Sequence, residues 1–226
     1  MTQEQRERMM QLSSNNVSDA MTALDIKGST YGIRPIWEGC PKIVGEAITV
    51  KMGPAGFTEA ETTHLGVLNA MRQGEKGSVV VVDHGGRLDV SAFGGIMANT
   101  AQVSGMSGVV VDGVTRDIDE YVQIQFPVYS RGAVVATSRG KTIAYQINGM
   151  IQFAGVQVLP GDIVIGDRSG VVIVPKNRFE EVLAKAEELR DKEDSMIAEI
   201  RAGADAASVD DKYNYENMLK EDKKQE

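Results

Sequence analysis

"GVVVDGVTRDIDEY", residues 108–121, opens on three consecutive valines and ends in charge. A valine run without polar alternation suits a strand covered on both faces, the pattern of sheets in α/β folds. A second run, "SVVVVD" (78–83), comes before it, and between them "SAFGGIMANTAQVSG" (91–105) holds Ile96, Thr100 and Val103 among small residues, the makings of a short helix packed on the sheet. Strand, helix, strand with short connections favours a parallel pair. Asp112, Arg116, Asp117 and Asp119 then fall at the carboxyl end of the later strand, where the loops of α/β folds line a crevice.

Outward from this unit, "PVYSRG" (127–132) reads as a further strand, and "DIVIGDRSGVVIVP" (162–175) as two strands joined through the turn "GDRSG". That hairpin makes the sheet mixed. From Asn177 to Ala202 the chain reads as one long helix, with Asn177 as cap, Glu180 in the capping-box position and Gly203 as stop. Phe179, Val182, Leu183, Ala186, Leu189, Met196, Ile197 and Ile200 form its apolar stripe. Glu193 interrupts that stripe, which admits two expectations: a solvated edge paired with a basic residue, or a side chain reaching a polar site on a neighbouring subunit. Residues 204–226 are acidic, polar and short of core residues, a tail that is flexible or ordered by packing Tyr213, Tyr215, Met218 and Leu219 on a partner chain. The fold class is therefore α/β, one α/β/α domain over residues 1–203 with a mixed central sheet and a long C-terminal helix.

The 226 residues carry a formal net charge of −8 and 42% hydrophobic residues, enough for one sizeable core. The acidic surface repels phosphate backbones and no basic patch offsets it, since "KEDKKQE" (220–226) is diluted by acids; nucleic acid is not an expected partner. No apolar run approaches membrane-spanning length. One cysteine, Cys40, and the polar start "MTQEQRERMMQ" lead to the expectation of a cytoplasmic protein without a disulfide.

An Arg-Asp dipeptide on a loop is by itself most often a structural ion pair. "FGGIM" (93–97) adds weight, because Gly94 and Gly95 stand where a helix begins, and free N–H groups at a helix N-terminus bind anions. One crevice would then offer the Ile96 and Met97 amides for a carboxylate, the Arg116 guanidinium for oxygens, and the Asp117 carboxylate for a hard divalent cation. Such a set suits 2-oxo acid chemistry. His84, in "VVDHGG", follows a strand end and either lines this crevice or sits in a loop without chemistry. His64, in "TEAETTHLGVLNAM" (58–71), reads as structural. Ser18 and Asp19 are candidate helix caps, with a substrate contact by Asp19 as the other possibility.

"NNVSDAM" (15–21), "VVVVDHGG" (79–86), "AFGGIMANTAQVSGMSGVVVDGVTRDIDE" (92–120), "FPVYSRG" (126–132) and "PGDIVIGDRSGVVIVP" (160–175) together resemble the RraA-like family. That family contains the ribonuclease E activity regulator A and the 4-hydroxy-4-methyl-2-oxoglutarate/4-carboxy-4-hydroxy-2-oxoadipate aldolases. The resemblance runs from Val17 to Pro175 and implies a swivelling-domain fold, assembly as a homotrimer or a hexamer, and active sites between subunits. In the aldolase branch an aspartate, twenty intervening residues and Arg-Asp form the motif. Carried over, the resemblance makes Asp117 the ligand of Mg²⁺ or Mn²⁺, Arg116 the group that stabilises the enolate, and Ile96 and Met97 the carboxylate holders. The first aspartate of the motif is Gly95 here, so either another acid replaces it or metal binding weakens. Glu193 is one candidate for the acid that the family supplies from a neighbouring subunit. In the regulator branch the Arg-Asp pair itself is lost, whereas here it is intact. The expected function is thus a metal-dependent class II pyruvate aldolase with oxaloacetate decarboxylase activity; the alternative is a regulator that binds and inhibits an enzyme such as a ribonuclease.

Overall fold

A computed structural model describes residues 1–56, 63–217 and 219. Its strands are β1 (Arg34–Pro35), β2 (Ile43–Pro54), β3 (Val79–Phe93), β4 (Gly108–Thr115), β5 (Val128–Ser130), β6 (Gly132–Ala133), β7 (Thr142–Ile147), β8 (Ile151–Phe153), β9 (Val156–Val158), β10 (Ile163–Asp167) and β11 (Gly170–Val174). The helices are α1 (Gln3–Gln11), α2 (Ser14–Ala23), α3 (Thr63–Gln73), α4 (Gly95–Val103), α5 (Ile118–Gln123), α6 (Phe179–Arg201) and α7 (Ala206–Tyr213). None of the described helices is long and apolar enough to cross a membrane.

The two valine runs become β3 and β4, parallel in register from Val79 opposite Gly108 to Asp83 opposite Asp112. The sheet runs β1-β5-β4-β3-β2-β10-β11, with β6 beside β4 and β7 beside β2, and β10–β11 is the expected antiparallel hairpin. The segment before β1 nearly closes it: Ile173 N–H donates to Gly28 O, Thr30 N–H donates to Val171 O, and Arg34 pairs with Ser130. Side-chain alternation then separates an inside from an outside. Val79, Val81, Val110, Tyr129, Val164, Val171 and Ile173 face inward around Ile151 and Phe153 of the β8–β9 hairpin, which plugs the interior. Val80, Val82, Val109 and Val111 face outward against α3, α4 and α5. Ile163, Ile165, Val172 and Val174 face outward against α1, α2 and α6.

Local details depart from the sequence expectations. A 3-10 turn at Lys176–Arg178 precedes α6, so Asn177 does not cap it, and Glu180 instead accepts a hydrogen bond from the Gln5 side chain. Gly203, at φ +95°, does end it. The cap of α2 is Ser13, in a capping box with Asn16, five residues before Ser18; Asp19 lies inside the helix. In α4 the buried side is Met97, Ala98 and Ala101, while Ile96 and Val103 are 62% and 88% exposed. Two alanines let the helix lie close to the sheet, and the larger side chains turn outward. Residues 206–213, expected in a tail, form α7, capped by Asp205 and folded onto α6 of the same chain: Val209 is buried, and Lys212 and Tyr213 both donate to Glu199. Met218, and the start of the helical pattern before Thr63, lie outside the described residues; so does the side chain of His64.

Candidate active site

The β3–α4 connection and the β4–α5 connection meet. Arg116 N–H donates to Phe93 O at 3.1 Å, and Tyr121 Oη, fully buried, donates to the same carbonyl at 3.2 Å. Burial raises the Tyr121 hydroxyl above its ordinary range, so it stays a donor. These bonds bring Asp117 to the start of α4, where Asp117 Oδ2 accepts the Gly95 N–H at 2.9 Å and faces Arg116 Nε at 3.4 Å. Both contacts fall on Oδ2. Asp117 adopts φ +62°, ψ +44°, a left-handed conformation at the N-cap of α5.

The two glycines are what allow this approach. A Cβ on Gly94 would stand 2.8 Å from Asp117 Oδ2, and one on Gly95 2.9 Å from Glu120 Cγ. Glu120 thus lies over the position where the aldolase motif has its aspartate. Asn99 Nδ2 donates to Glu120 Oε1 at 2.8 Å and to Gly95 O at 3.0 Å, fixing that carboxylate beside the helix start. Sequence reasoning missed Glu120 because its place depends on α5 folding across α4; its offset of three residues from Asp117, one helical turn, was the available signal.

Gly94, Gly95, Ile96, Met97, Arg116 and Asp117 line one cavity of about 590 Å³, together with Phe93, Val67, Ile143 and the loop from Thr137 to Gly140. Helix geometry leaves the Ile96 and Met97 amides in the first turn of α4 without an intrahelical acceptor. The cavity therefore joins N–H donors, a guanidinium and a carboxylate on a partly apolar wall, a combination that holds a small anion and can stabilise charge developing on an oxygen.

Asp112 and His84 stand outside this cavity. Asp112 faces the sheet interior, on the side opposite α4: its carboxylate accepts Arg131 Nε at 2.5 Å and Ala154 N–H at 2.8 Å, which ties the β8–β9 plug to β4. Its position at the strand end had suggested the crevice, but alternation along β4 sends it inward. His84 is 1% exposed, absent from the cavity lining, and neither ring nitrogen has a hydrogen-bond partner. Burial, followed by the Arg87 charge, lowers its pKa to about 4, so the ring is neutral. Glu193 accepts Asn16 Nδ2 at 2.8 Å between α2 and α6 rather than pairing with a base, and burial and Asp19 raise its pKa.

A family model described as RraA-like, aldolase/RraA, matches residues 14–173. The chain belongs to the RraA-like family. A Halalkalibacterium halodurans protein provisionally named 4-hydroxy-4-methyl-2-oxoglutarate aldolase is 37% identical over 170 residues, covering 75% of this chain and 76% of its own. Protein DlpA of Legionella pneumophila is 30% identical over 212 residues, 93% of this chain, yet the chain spans only 34% of that relative's length. Among solved structures, an uncharacterized protein from Pseudomonas syringae pv. tomato superimposes with a TM-score of 0.82 at 29% identity, covering 92% of this chain and 98% of the other. The mixed sheet and long α6 are accordingly the RraA-like fold.

Proposed function

We propose that this RraA-like protein is a divalent-metal-assisted lyase that cleaves a small 4-hydroxy-2-oxo acid to pyruvate and decarboxylates oxaloacetate through the same enolate. The observation that carries it is the meeting of Arg116, Asp117 and the amide end of α4 in one cavity. The name of the Halalkalibacterium relative supports the reaction class. The family description couples aldolase with RraA, and the intact Arg116–Asp117 pair favours the lyase over the regulator.

The donor set fits Mg²⁺ or Mn²⁺. No group of three or more His, Cys, Asp or Glu that could hold a metal occurs among the described residues. Mg²⁺ commonly binds through one or two carboxylates and completes its shell with water and substrate. Asp117 and Glu120 would hold it, with Asp117 Oδ1 turned to neither Gly95 nor Arg116. When bound, the cation supplies positive charge that favours the enolate over the ketone.

The chain's own groups do the rest. The Ile96 and Met97 amides receive the 2-oxo acid's carboxylate, and the Arg116 fork lies against the C2 oxygen. Transfer of the C4 hydroxyl proton to water breaks the C3–C4 bond; the electron pair becomes the enolate, C4 leaves as a carbonyl, and return of a proton from water to C3 gives pyruvate. Loss of carbon dioxide from oxaloacetate produces the same enolate. Arg116 accelerates both because its bonds strengthen as charge collects on the oxygen. Exposed Ile96 at the site and exposed Val103 at the other end of α4 support assembly into a trimer or hexamer, and the single cysteine supports a cytoplasmic location.

The test is pyruvate release from oxaloacetate and from 4-hydroxy-4-methyl-2-oxoglutarate, with Mg²⁺ or Mn²⁺ and after EDTA. Metal-stimulated release that EDTA abolishes is expected. No release from either substrate under any of these conditions would overturn the lyase reading.

A further inference from the structure

We infer that the cavity between the Trp37–Cys40 turn and the β10–β11 turn is a second binding site, which takes a free α-amino acid with an apolar side chain. The inference does not depend on the lyase reading, because this cavity of about 440 Å³ shares no lining residue with the one at the start of α4.

Pro35, Ile36, Trp37 and Cys40 form its apolar wall. Trp37 buries its Nε1 edge toward the outer core, while Cζ3 lies 3.7 Å from where a Cβ on Gly39 would stand. Gly39, at φ +81°, supplies the left-handed step of the turn and leaves that edge of the ring uncovered. Burial pushes the Cys40 thiol up to about 11, so it stays neutral and joins the wall as a small apolar group rather than as a nucleophile.

Both turns are tied to the fold. Ile36 N–H donates to Val128 O at 3.1 Å and Cys40 N–H to Trp37 O at 3.3 Å. Across the cavity, Asp167 Oδ1 accepts Ser169 N–H at 2.9 Å and Asp167 Oδ2 accepts Ser14 N–H at 2.7 Å. Glu38 and Arg168 are the charged residues of the lining, one from each turn. Both are exposed, and neither side chain has a hydrogen bond or an ion pair among the described residues, not even with the other. Opposite charges that share a cavity without meeting suit a ligand that carries both signs. An α-amino acid has the matching parts: its carboxylate accepts from the Arg168 fork, its ammonium donates to Glu38, and its side chain lies on Trp37, Pro35 and Ile36. A simple anion or amine satisfies one charge and is repelled by the other.

Trp37 is the single tryptophan of the chain, so its fluorescence reports on this cavity. Titration with phenylalanine should give a saturable change with a dissociation constant of about 1 mM or lower. 3-Phenylpropionate, which lacks the ammonium, and phenethylamine, which lacks the carboxylate, should bind about tenfold or more weakly, as should glycine, which lacks the side chain. Glu38→Gln should bring phenylalanine within about twofold of 3-phenylpropionate, and Arg168→Gln within about twofold of phenethylamine. Both residues are exposed, so neither substitution threatens the fold. No saturable change with phenylalanine, equal affinity for the three aromatic probes, or a preference that survives both substitutions would overturn the inference.

Discussion

Asp117 holds a conformation that most L-residues adopt only at a cost of about 1–2 kcal/mol, and that asparagine tolerates as aspartate does. Asp117→Asn keeps a side-chain oxygen for the Gly95 N–H, so we expect a stably folded protein without metal-stimulated turnover. Asp117→Ala should in addition lose about 1–2 kcal/mol of stability, since the cap on α4 goes with it. Urea unfolding beside the pyruvate assay checks both, and an Asp117→Asn protein that unfolds while its folded fraction stays active would reduce Asp117 to a cap. His84 supplies a pH dependence. Its ring is neutral in the fold down to about pH 4, whereas in the unfolded chain it takes a proton near 6.5. The unfolded state therefore binds the extra proton between those values, and stability falls as pH drops through them. His84→Leu, which removes two unpartnered nitrogens at any pH and the titration as well, should gain roughly 2 kcal/mol more at pH 5 than at pH 8. Equal gains at both would mean the ring is not the titrating group. The Arg116–Asp117 pair was legible because two neighbours at a strand end need no long-range contact to be read together. Glu120 was not, because the crossing of α5 over α4 brings it to the start of α4.

At the scale of elements, the contact of α5 with α4 governs the missing motif acid. Gly95→Asp alone must displace Glu120, whose Cγ would stand 2.9 Å from the new Cβ. We expect it to lose about 1–3 kcal/mol of stability. Gly95→Asp with Glu120→Ala should recover that stability and hold Mn²⁺ within about threefold of wild type, read by titration. A single Gly95→Asp variant as stable as wild type, with unchanged metal affinity, would remove Glu120 from this role. The β8–β9 plug gives a control on the other face: Asp112→Asn weakens the bond to Arg131 and should cost about 2 kcal/mol while leaving kcat and KM unchanged. A large kcat loss in folded Asp112→Asn would couple the plug to the chemistry. Element types and the β3–β4 pairing were legible from valine runs and punctuating glycines. The buried side of α4 was not, because apolar spacing favoured Ile96 and Val103, whereas two alanines let the helix seat on the sheet.

For the molecule as a whole, the closing segment between Gly28 and Pro35 turns an open sheet into a nearly closed one, and the sequence carried no local signal for it because its partners lie on β11 and β5. The fold class was legible; the curvature was not. Arg6 on α1 binds Val44 O, Gly77 O and Ser107 Oγ at once, so one side chain spans three separate segments. Arg6→Met removes a charged donor from three acceptors, of which Gly77 O keeps only the Ser107 hydroxyl, and should cost about 2–3 kcal/mol in a single cooperative transition, followed by fluorescence and circular dichroism together. Non-coincident transitions would show that α1 melts as a separate unit.

The layer of α1, α2 and α6 joins segments far apart in sequence, with Arg8 and Glu187, 179 positions apart, in one ion pair. During synthesis, Met9, Leu12, Val17 and Met21 leave the ribosome long before β10, β11 and α6 exist to cover them. Ribosome-bound chains therefore carry an uncovered apolar surface until α6 has been made, and native docking of α1 and α2 waits for it. Slow synthesis prolongs that exposure, so yield should respond to chaperone supply more than to the stability of the finished protein.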